Sequence, residues 1–491
     1  MDDAWAFHGP AARLLWNVQE TLDNLMMTLP SETWEVRGAR EIPPGELTFI
    51  LTRAIEEHEW QRFDHYASFI RTLYIDITAR NIMSWSPEVL TALHLHRSSM
   101  CTDLLPNLIK LTAITVSWDP SSNPQIAVLL GRSLRIIEVI SGDRYSADDG
   151  DSVEDWTSAL VGCLPSGCPN IEEVYTAELR ELPTNLAQDL AQCEGLRCFR
   201  SDAPVSIKTG MDFLQLHKLH DLSLNILEGE DENPNAIVPR INAHLLTKLG
   251  LRLHEPPYAL KFLAHCNFPV LQSMSLSVEE PQFLPSYITA LYDHCEPALI
   301  RTFDVQFLPP DMLSQYAFPC DFILTLLRFK SLQEVVLSTL PLLADDTLLR
   351  EMAMAWPQLA KLRMADHRRG SSTRSQFTLV GLVPLAQQCP KLKELWISVT
   401  GDPPPFPIRN LPGHGLSRSQ LQTIDFYDSP VNQTIRTAAF LSGLFPELTT
   451  IIAGKHYDRW ERVKTGLQLF KEAREQEREG MLHIASSELV G

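Results

Sequence analysis

Few residues of this 491-residue sequence stand at spacings that do covalent chemistry. Leu93-His94-Leu95-His96 would set two imidazoles on one side of a strand, half of a metal site. No third ligand lies near, and the flanks read as a helix end, so surface histidines are the expectation. Cys163–Cys168 and Cys193–Cys198 share a spacing, but no Cys-x-x-Cys occurs, and Cys168 and Cys193 read as buried, inert thiols. Gly413-His414-Gly415 follows no strand and opens no clear helix, which makes it a loop rather than a phosphate cradle. There is no GxSxG, P-loop, dinucleotide glycine fingerprint or HExxH. The sequence thus assigns no catalytic, cofactor-binding or metal-binding residues. A protein without catalysis is expected, and a hydrolase-type site on inter-repeat loops is the least favoured alternative.

The chemistry that remains is recognition. Trp, Tyr and Arg dominate the energetic centres of protein interfaces. Trp396, Arg363 and Tyr427 fall in three nearby copies of a recurring pattern, at positions expected to face outward. Asp425, Arg252 and Asn225 occupy similar positions. These six are the candidate partner contacts, with mid-strand Trp396 foremost. The competing expectation is that Trp396 is shielded by a neighbouring loop and merely packs.

Such residues need strands to present them. The recurring unit is an aliphatic residue, two variable residues, an apolar residue, one variable residue and another aliphatic, clearest in Leu392-Lys-Glu-Leu395-Trp-Ile397. Good copies begin at Ile70, Leu134, Leu219, Leu246, Leu271, Ile300, Leu332, Leu359 and Leu421. Weaker or incomplete ones begin at Leu108, Ile171, Leu196 and Leu448. This is the LxxLxL core of a leucine-rich repeat. Its alternating end reads as a short strand with one buried face, and only stacking on the next copy can bury that face. Proline two residues before the anchor, as at Pro357 and Pro390, stops the preceding helix and sets an extended entry. Asp346–Ala355 and Leu379–Gln388 read as those helices. The expected fold is therefore α/β, a leucine-rich-repeat solenoid with parallel strands on the concave face, helices on the convex face, and helical caps at both ends. In that geometry Tyr74, Ser223, Asp304 and Val336 join the candidates on the concave face.

The ends differ from the array. Residues 11–36 have helical spacing stopped by Pro30, and 46–67 reads as a further helix. Residues 457–479 read as a charged helix covering the last repeat, with Trp460, Val463, Leu467 and Phe470 on one face. The polar segments 142–155, 228–234 and 402–412 read as surface loops, because the repeat resumes after each. His367–Ser375 reads as a basic, serine-rich solvated loop. The expected domains are a helical segment 1–67, a repeat array 68–456, and a helix with tail 457–491.

Composition narrows the partners. The formal net charge is −19, from 42 Lys+Arg against 61 Asp+Glu, which argues against nucleic acid and anionic membranes and makes a basic protein partner more plausible. Nine cysteines, an odd count at irregular spacing, suit free thiols in a reducing compartment. No apolar run reaches the ~20 residues of a membrane span. A cytoplasmic or nuclear location, a protein partner and no cofactor are expected.

The N-terminal pattern LWxxxxxLxxLxxxLPxxxW, carried by Leu15-Trp16, Leu22, Leu25, Leu29-Pro30 and Trp34, resembles the segment that follows the F-box in a fungal family of F-box/leucine-rich-repeat proteins, best known from basidiomycetes. The resemblance extends through the repeats and their Cys-Pro-x-Leu or Trp-Pro-x-Leu entries. It implies a substrate-receptor part of an SCF-type ubiquitin ligase, with the F-box docking the small adaptor subunit. Only about ten residues precede Arg13, without the opening Leu-Pro-x-Glu of an F-box. The F-box is thus expected to be missing or truncated, and adaptor docking is expected only if one lies upstream. The alternative is a leucine-rich-repeat scaffold with no ubiquitin role.

Overall fold

The computed structural model describes residues 3–38, 47–76, 84–85, 87–100, 103–115, 128–141, 163–177, 179, 182, 185–227, 240–254, 256–307, 321–338, 344–365, 377–400, 403, 419–454 and 456–488. The chain forms two compact units, Met1–Ile237 and Val238–Gly491. Each is a leucine-rich-repeat solenoid of α/β class.

The first unit holds strands β1 (Val18–Gln19), β2 (Trp34–Gly38), β3 (Leu47–Leu51), β4 (Thr72–Asp76), β5 (Ser84–Trp85), β6 (Lys110–Thr115), β7 (Ile136–Ser141), β8 (Glu173–Ala177), β9 (Cys198–Val205) and β10 (Asp221–Ile226). Its helices are α1 (Asp3–Trp16), α2 (Asp23–Met26), α3 (Gln61–Ala67), α4 (Pro87–Met100), α5 (Leu186–Ala191) and α6 (Ile207–Leu214). The strands β1-β4-β6-β7-β8-β9-β10 form one parallel ladder in that order. β2, β3 and β5 make a separate small sheet.

The second unit holds β11 (Ile241–Asn242), β12 (Lys248–Leu253), β13 (Cys266–Asn267), β14 (Ser273–Val278), β15 (Thr302–Phe307), β16 (Glu334–Ser338), β17 (Lys361–Ala365), β18 (Glu394–Ile397), β19 (Thr423–Asp425) and β20 (Thr450–Ile452). Its helices are α7 (Pro256–Ala264), α8 (Leu284–His294), α9 (Asp321–Leu326), α10 (Asp346–Ala355), α11 (Val383–Gln388), α12 (Thr434–Leu444) and α13 (Tyr457–Glu488). The run β12-β14-β15-β16-β17-β18-β19-β20 is parallel and in register. One buried rung reads Leu249, Met274, Phe303, Val335, Leu362, Leu395, Ile424 and Ile451, one side chain per strand. The alternation read from LxxLxL is this rung and the one above it.

A backbone device locks each repeat to the next. Within each unit, the carbonyl one residue after an anchor accepts two N–H groups from the following repeat, so both of its lone pairs are used. Arg71 O takes Ile109 and Lys110 N–H, Arg301 O takes Gln333 and Glu334, and Lys393 O takes Gln422 and Thr423, at 2.7–3.1 Å. The anchor before each of these carbonyls (Ile70, Ile300, Leu392) is fully buried.

The N-terminal segment departs from the expected helices. α1 ends at Trp16, and Asn17 O then takes the N–H groups of Arg71 and Thr72 just as later repeats do. The array therefore begins inside segment 1–67, with Trp16 standing at an anchor position. Residues 34–38 and 47–51 form an antiparallel pair in which Trp34 stacks on Phe49 at 5.0 Å. The apolar spacing that suggests one long helix is instead shared out. Leu22, Leu25, Met26 and Leu29 are buried, whereas Leu14 and Leu15 of α1 are exposed at 81% and 74%. α10 matches its expected span. The 379–388 segment starts as a 3-10 turn over Leu379–Leu382 before α11, and α13 runs beyond residue 479 to Glu488. The loops at 142–155, 228–234 and 367–375 lie outside the described residues, as does 402–412 apart from Pro403. No helix among the described residues is long and apolar enough to cross a membrane.

Candidate functional site

Between the two buried rungs of the second unit runs a row that points the other way. It reads Gly250, Ser275, Asp304, Val336, Arg363, Trp396, Asp425 and Ile452. Side chains alternate faces along a strand, so this row cannot reach the core. Neighbours in the row are about 4.8 Å apart, close enough for long side chains to interlock. Arg363 and Trp396 do so, with the guanidinium carbon 5.1 Å from the indole centroid. Lys361, two residues earlier on β17, brings its ammonium to 4.7 Å from the same ring and lies 3.4 Å from Glu394. Trp396 is half-buried under these two cations. Its strand neighbours Lys361 and Arg363 stack on it, and it remains partly open to solvent.

Tyr427 completes the cluster from the turn after β19. Its φ is +49°, a left-handed conformation that a bulky side chain adopts only when its surroundings impose it. Two bonds impose it. The Asp425 carboxylate accepts the Tyr427 N–H at 2.8 Å, and the Tyr427 carbonyl accepts Gly454 N–H at 2.6 Å. Burial pushes the Tyr427 phenol up to about 12, while the nearby Arg363 guanidinium pulls the other way. Tyr427, Arg363, Trp396 and Lys361 are thus one cationic and aromatic cluster. Asp425 serves it mainly as the brace of the turn.

Asp304 lies two strands from Arg363 with only Val336 between them. Gln306 donates to its Oδ2 at 3.2 Å, while Oδ1 is buried with no hydrogen-bond partner. Burial raises its carboxyl above the usual range, opposed by the Gln306 bond and the Arg363 charge. Gly250, Ser275, Asp304 and Val336 therefore lead along the row to Arg363 and Trp396.

The remaining candidates are elsewhere. Arg252 faces outward on β12, 4.0 Å from Glu279, and β12 is four strands from β17, about 19 Å at normal strand spacing. Asn225 is a correction. It is buried, and its Nδ2 donates to the Asp202 carbonyl at 2.7 Å. The register of β10 against β9 shifts between Ser223 and Asn225, so the simple alternation that placed Asn225 outward fails there. His96 is another correction. Rather than lying on the surface, it is buried, stacks on Trp60 at 4.0 Å and bonds Asp64 at 2.8 Å.

The first unit carries an outward network that the search for hot-spot residues passes over. Tyr74, Thr112, Glu138, Tyr175, Arg200 and Ser223 form its row. Glu138 is held by Lys110 and Thr112, each at 2.8 Å. The Tyr175 hydroxyl donates to Glu173 at 2.5 Å, while Arg200 stacks over the Tyr175 ring and pairs with Asp221 at 2.6 Å. These charges satisfy one another within the face. The detectable sequence signal is the residue just before each LxL, Lys110, Glu173, Asp221 and Lys361, which supplies a second outward position.

No family model matches the chain, and no curated protein matches it. Among solved structures it is similar to a leucine-rich-repeat protein of Leptospira interrogans, at 15% identity and a TM-score of 0.33, over 72% of this chain and 79% of that one. It is also similar to the leucine-rich-repeat ectodomain of the Arabidopsis receptor kinase HAESA, solved with an extended IDA peptide hormone. That likeness has 13% identity and a TM-score of 0.27, over 79% of this chain and 62% of that one. The leucine-rich-repeat assignment itself stands on the chain's own in-register parallel ladders and their recurring carbonyl lock.

Proposed function

We propose that the chain is a non-catalytic recognition module that binds a protein partner on the outward face of its second-unit strands, centred on Trp396, Arg363 and Tyr427. The observation that carries this reading is the Arg363–Trp396–Tyr427 cluster, three hot-spot residue types interlocked on a sheet face with one in a strained backbone conformation. Arg252, outward-facing on β12, would extend the contact. The test is photocrosslinking from a reactive amino acid placed at Ser275 or Ser277, compared with one at exposed Met354 on α10. The sheet-face positions should trap one common partner, and Trp396→Ala should abolish that crosslink without lowering the melting temperature by more than a few degrees. Equal trapping from Met354, or a large loss of stability on removing Trp396, would defeat the reading.

A finer form makes the module a substrate receptor of an SCF-type ubiquitin ligase, acting in the cytoplasm or nucleus. It is supported by the N-terminal Leu15-Trp16 to Trp34 pattern and by a repeat array behind it. Co-purification with the small adaptor subunit decides it. Capture of partner without adaptor leaves a scaffold with no ubiquitin role.

A further inference from the structure

A pocket of about 340 Å³ opens at the beginning of the first-unit ladder, lined by Arg13, Asn17, Ser68, Phe69, Arg71 and Asn107. None of these six residues is acidic, although the chain carries a net charge of −19. Two arginines line the pocket. Arg13 lies in the last turn of α1 with its guanidinium carbon 6.0 Å from the centre of the Phe69 ring. Arg71 follows the buried anchor Ile70, and its backbone is committed on both sides, its N–H to Asn17 O and its carbonyl to the N–H groups of Ile109 and Lys110. That commitment fixes where its side chain departs.

Several arginines elsewhere in this unit pair with carboxylates. Arg53 pairs with Glu59, Arg135 with Glu172 and Arg200 with Asp221, each at 2.6 Å. Among the described residues, Arg13 and Arg71 meet none. Two like charges converging on one pocket repel each other unless an anion lies between them. A guanidinium offers a planar fork of donors whose best partners are carboxylate and phosphate oxygens. Asn107 is oriented by donating to Ser68 O at 2.7 Å, which leaves its amide oxygen and second N–H available. Asn17 also lines the pocket, and Phe69 supplies an apolar wall. The volume suits a ligand at the small end of the usual range.

We propose that this pocket binds a small oxyanion, a phosphate monoester or a carboxylate, gripped between Arg13 and Arg71 and hydrogen-bonded by Asn17 and Asn107. The site is independent of the second-unit face.

The test titrates the full-length chain with inorganic phosphate and, separately, with succinate, at ionic strength held constant with chloride, by calorimetry and thermal melting. Saturable binding with a dissociation constant of about 1 mM or tighter is expected for at least one anion. Preference for phosphate points to a phosphate ester as the natural ligand, and preference for succinate to a carboxylate. Arg13→Gln and Arg71→Gln should each weaken it about tenfold or more, and the double variant should lose it. Arg71→Lys should retain part of the affinity, since the charge stays and only the fork is lost. Should the double variant fail to fold, Arg13→Gln decides alone, because Arg13 is exposed and its guanidinium rests on the Phe69 ring. No saturable binding of either anion, or binding unchanged by these substitutions, would overturn the proposal.

Discussion

Cys163 is exposed, whereas Cys266 and Cys389 are buried and burial pushes their thiols up to about 12. Cys193 and Cys198 are raised to about 11, chiefly for the same reason. The thiolate is the reactive form, so geometry and ionisation favour the same residue. Brief iodoacetamide treatment of the native chain at pH 8 should label Cys163 well ahead of these four, and unfolding should level the difference. Peptide mapping showing equal native labelling would contradict the packing. Glu59 gives a pH prediction. The Arg53 guanidinium, followed by the Glu56 N–H, holds its carboxyl down to about 2, from an ordinary 4.5. A folded value below the unfolded one gives stability that is present above about pH 4.5 and lost as pH falls towards 2. Glu59→Gln should therefore reduce the loss of melting temperature between pH 5 and pH 2, and an unchanged slope would show that the pair does not feel folding. The six candidate contacts were legible to different degrees for similarly local reasons. Trp396 and Arg363 follow from strict alternation, which their strands keep. Asn225 does not, because a register shift against β9 is invisible in its own strand. Lys361 hides one position ahead of the pattern, where a charged residue reads as ordinary solvated surface.

The strands were readable because each repeat repeats the same problem, burying one face of a short strand against the next. The anchors from Ile70 to Leu448 were found from that alone, and all of them are buried. The N-terminal elements were not readable, because Trp16 is an anchor without an LxxLxL behind it and the β2–β3 pair lacks a repeat to announce it. Between repeats, side chains add links of their own. Asp345 caps α10 by accepting the Thr347 and Leu348 N–H groups, and its neighbour Asp346 reaches forward to the next repeat, accepting from Thr378 N–H at 2.8 Å and Thr378 Oγ1 at 2.6 Å. Gly381 makes room for this, since a Cβ there would come within 2.1 Å of Asp346 Oδ1 and 3.1 Å of Leu349 Cδ1. The carboxylate cannot swing aside without leaving both Thr378 donors. Gly381→Ala should cost about 2 kcal/mol for that bridge. Adding Asp346→Ala should recover little beyond its own single-variant loss if the clash and the bridge are the same event. A full recovery in the melting curve of the double variant would instead show a clash without a bridge.

At the scale of the whole molecule, a stack of repeats is stable roughly as the sum of its units and their interfaces, so an open end is its weakest place. In the second unit that end is closed by α13. Trp460 is buried, donates its indole N–H to Ser429 O at 2.9 Å and stacks on Phe426 of the last full repeat at 4.2 Å. Val463 is fully buried beside it, and Leu467 nearly so. Further along, Arg474 donates to the Ser442 carbonyl and hydroxyl at 2.7 Å each, satisfying acceptors in the last turn of α12. The helix is thus a lid whose apolar side replaces the missing next repeat and whose charged side faces water. Trp460→Ala removes both the stacking and the donor to Ser429 O, and should cost about 3–5 kcal/mol. Nearest-neighbour coupling makes the loss graded. Hydrogen exchange should quicken most in β19 and β20, less in β17 and β18, and least in β12 and β14. Arg474→Ala should produce a weaker form of the same gradient, of about 1–2 kcal/mol, because it removes two hydrogen bonds to Ser442 and no buried aromatic. Uniform acceleration across all eight strands would mean that the unit opens in one step, and the lid would then be an ordinary part of the core rather than the closure of an array.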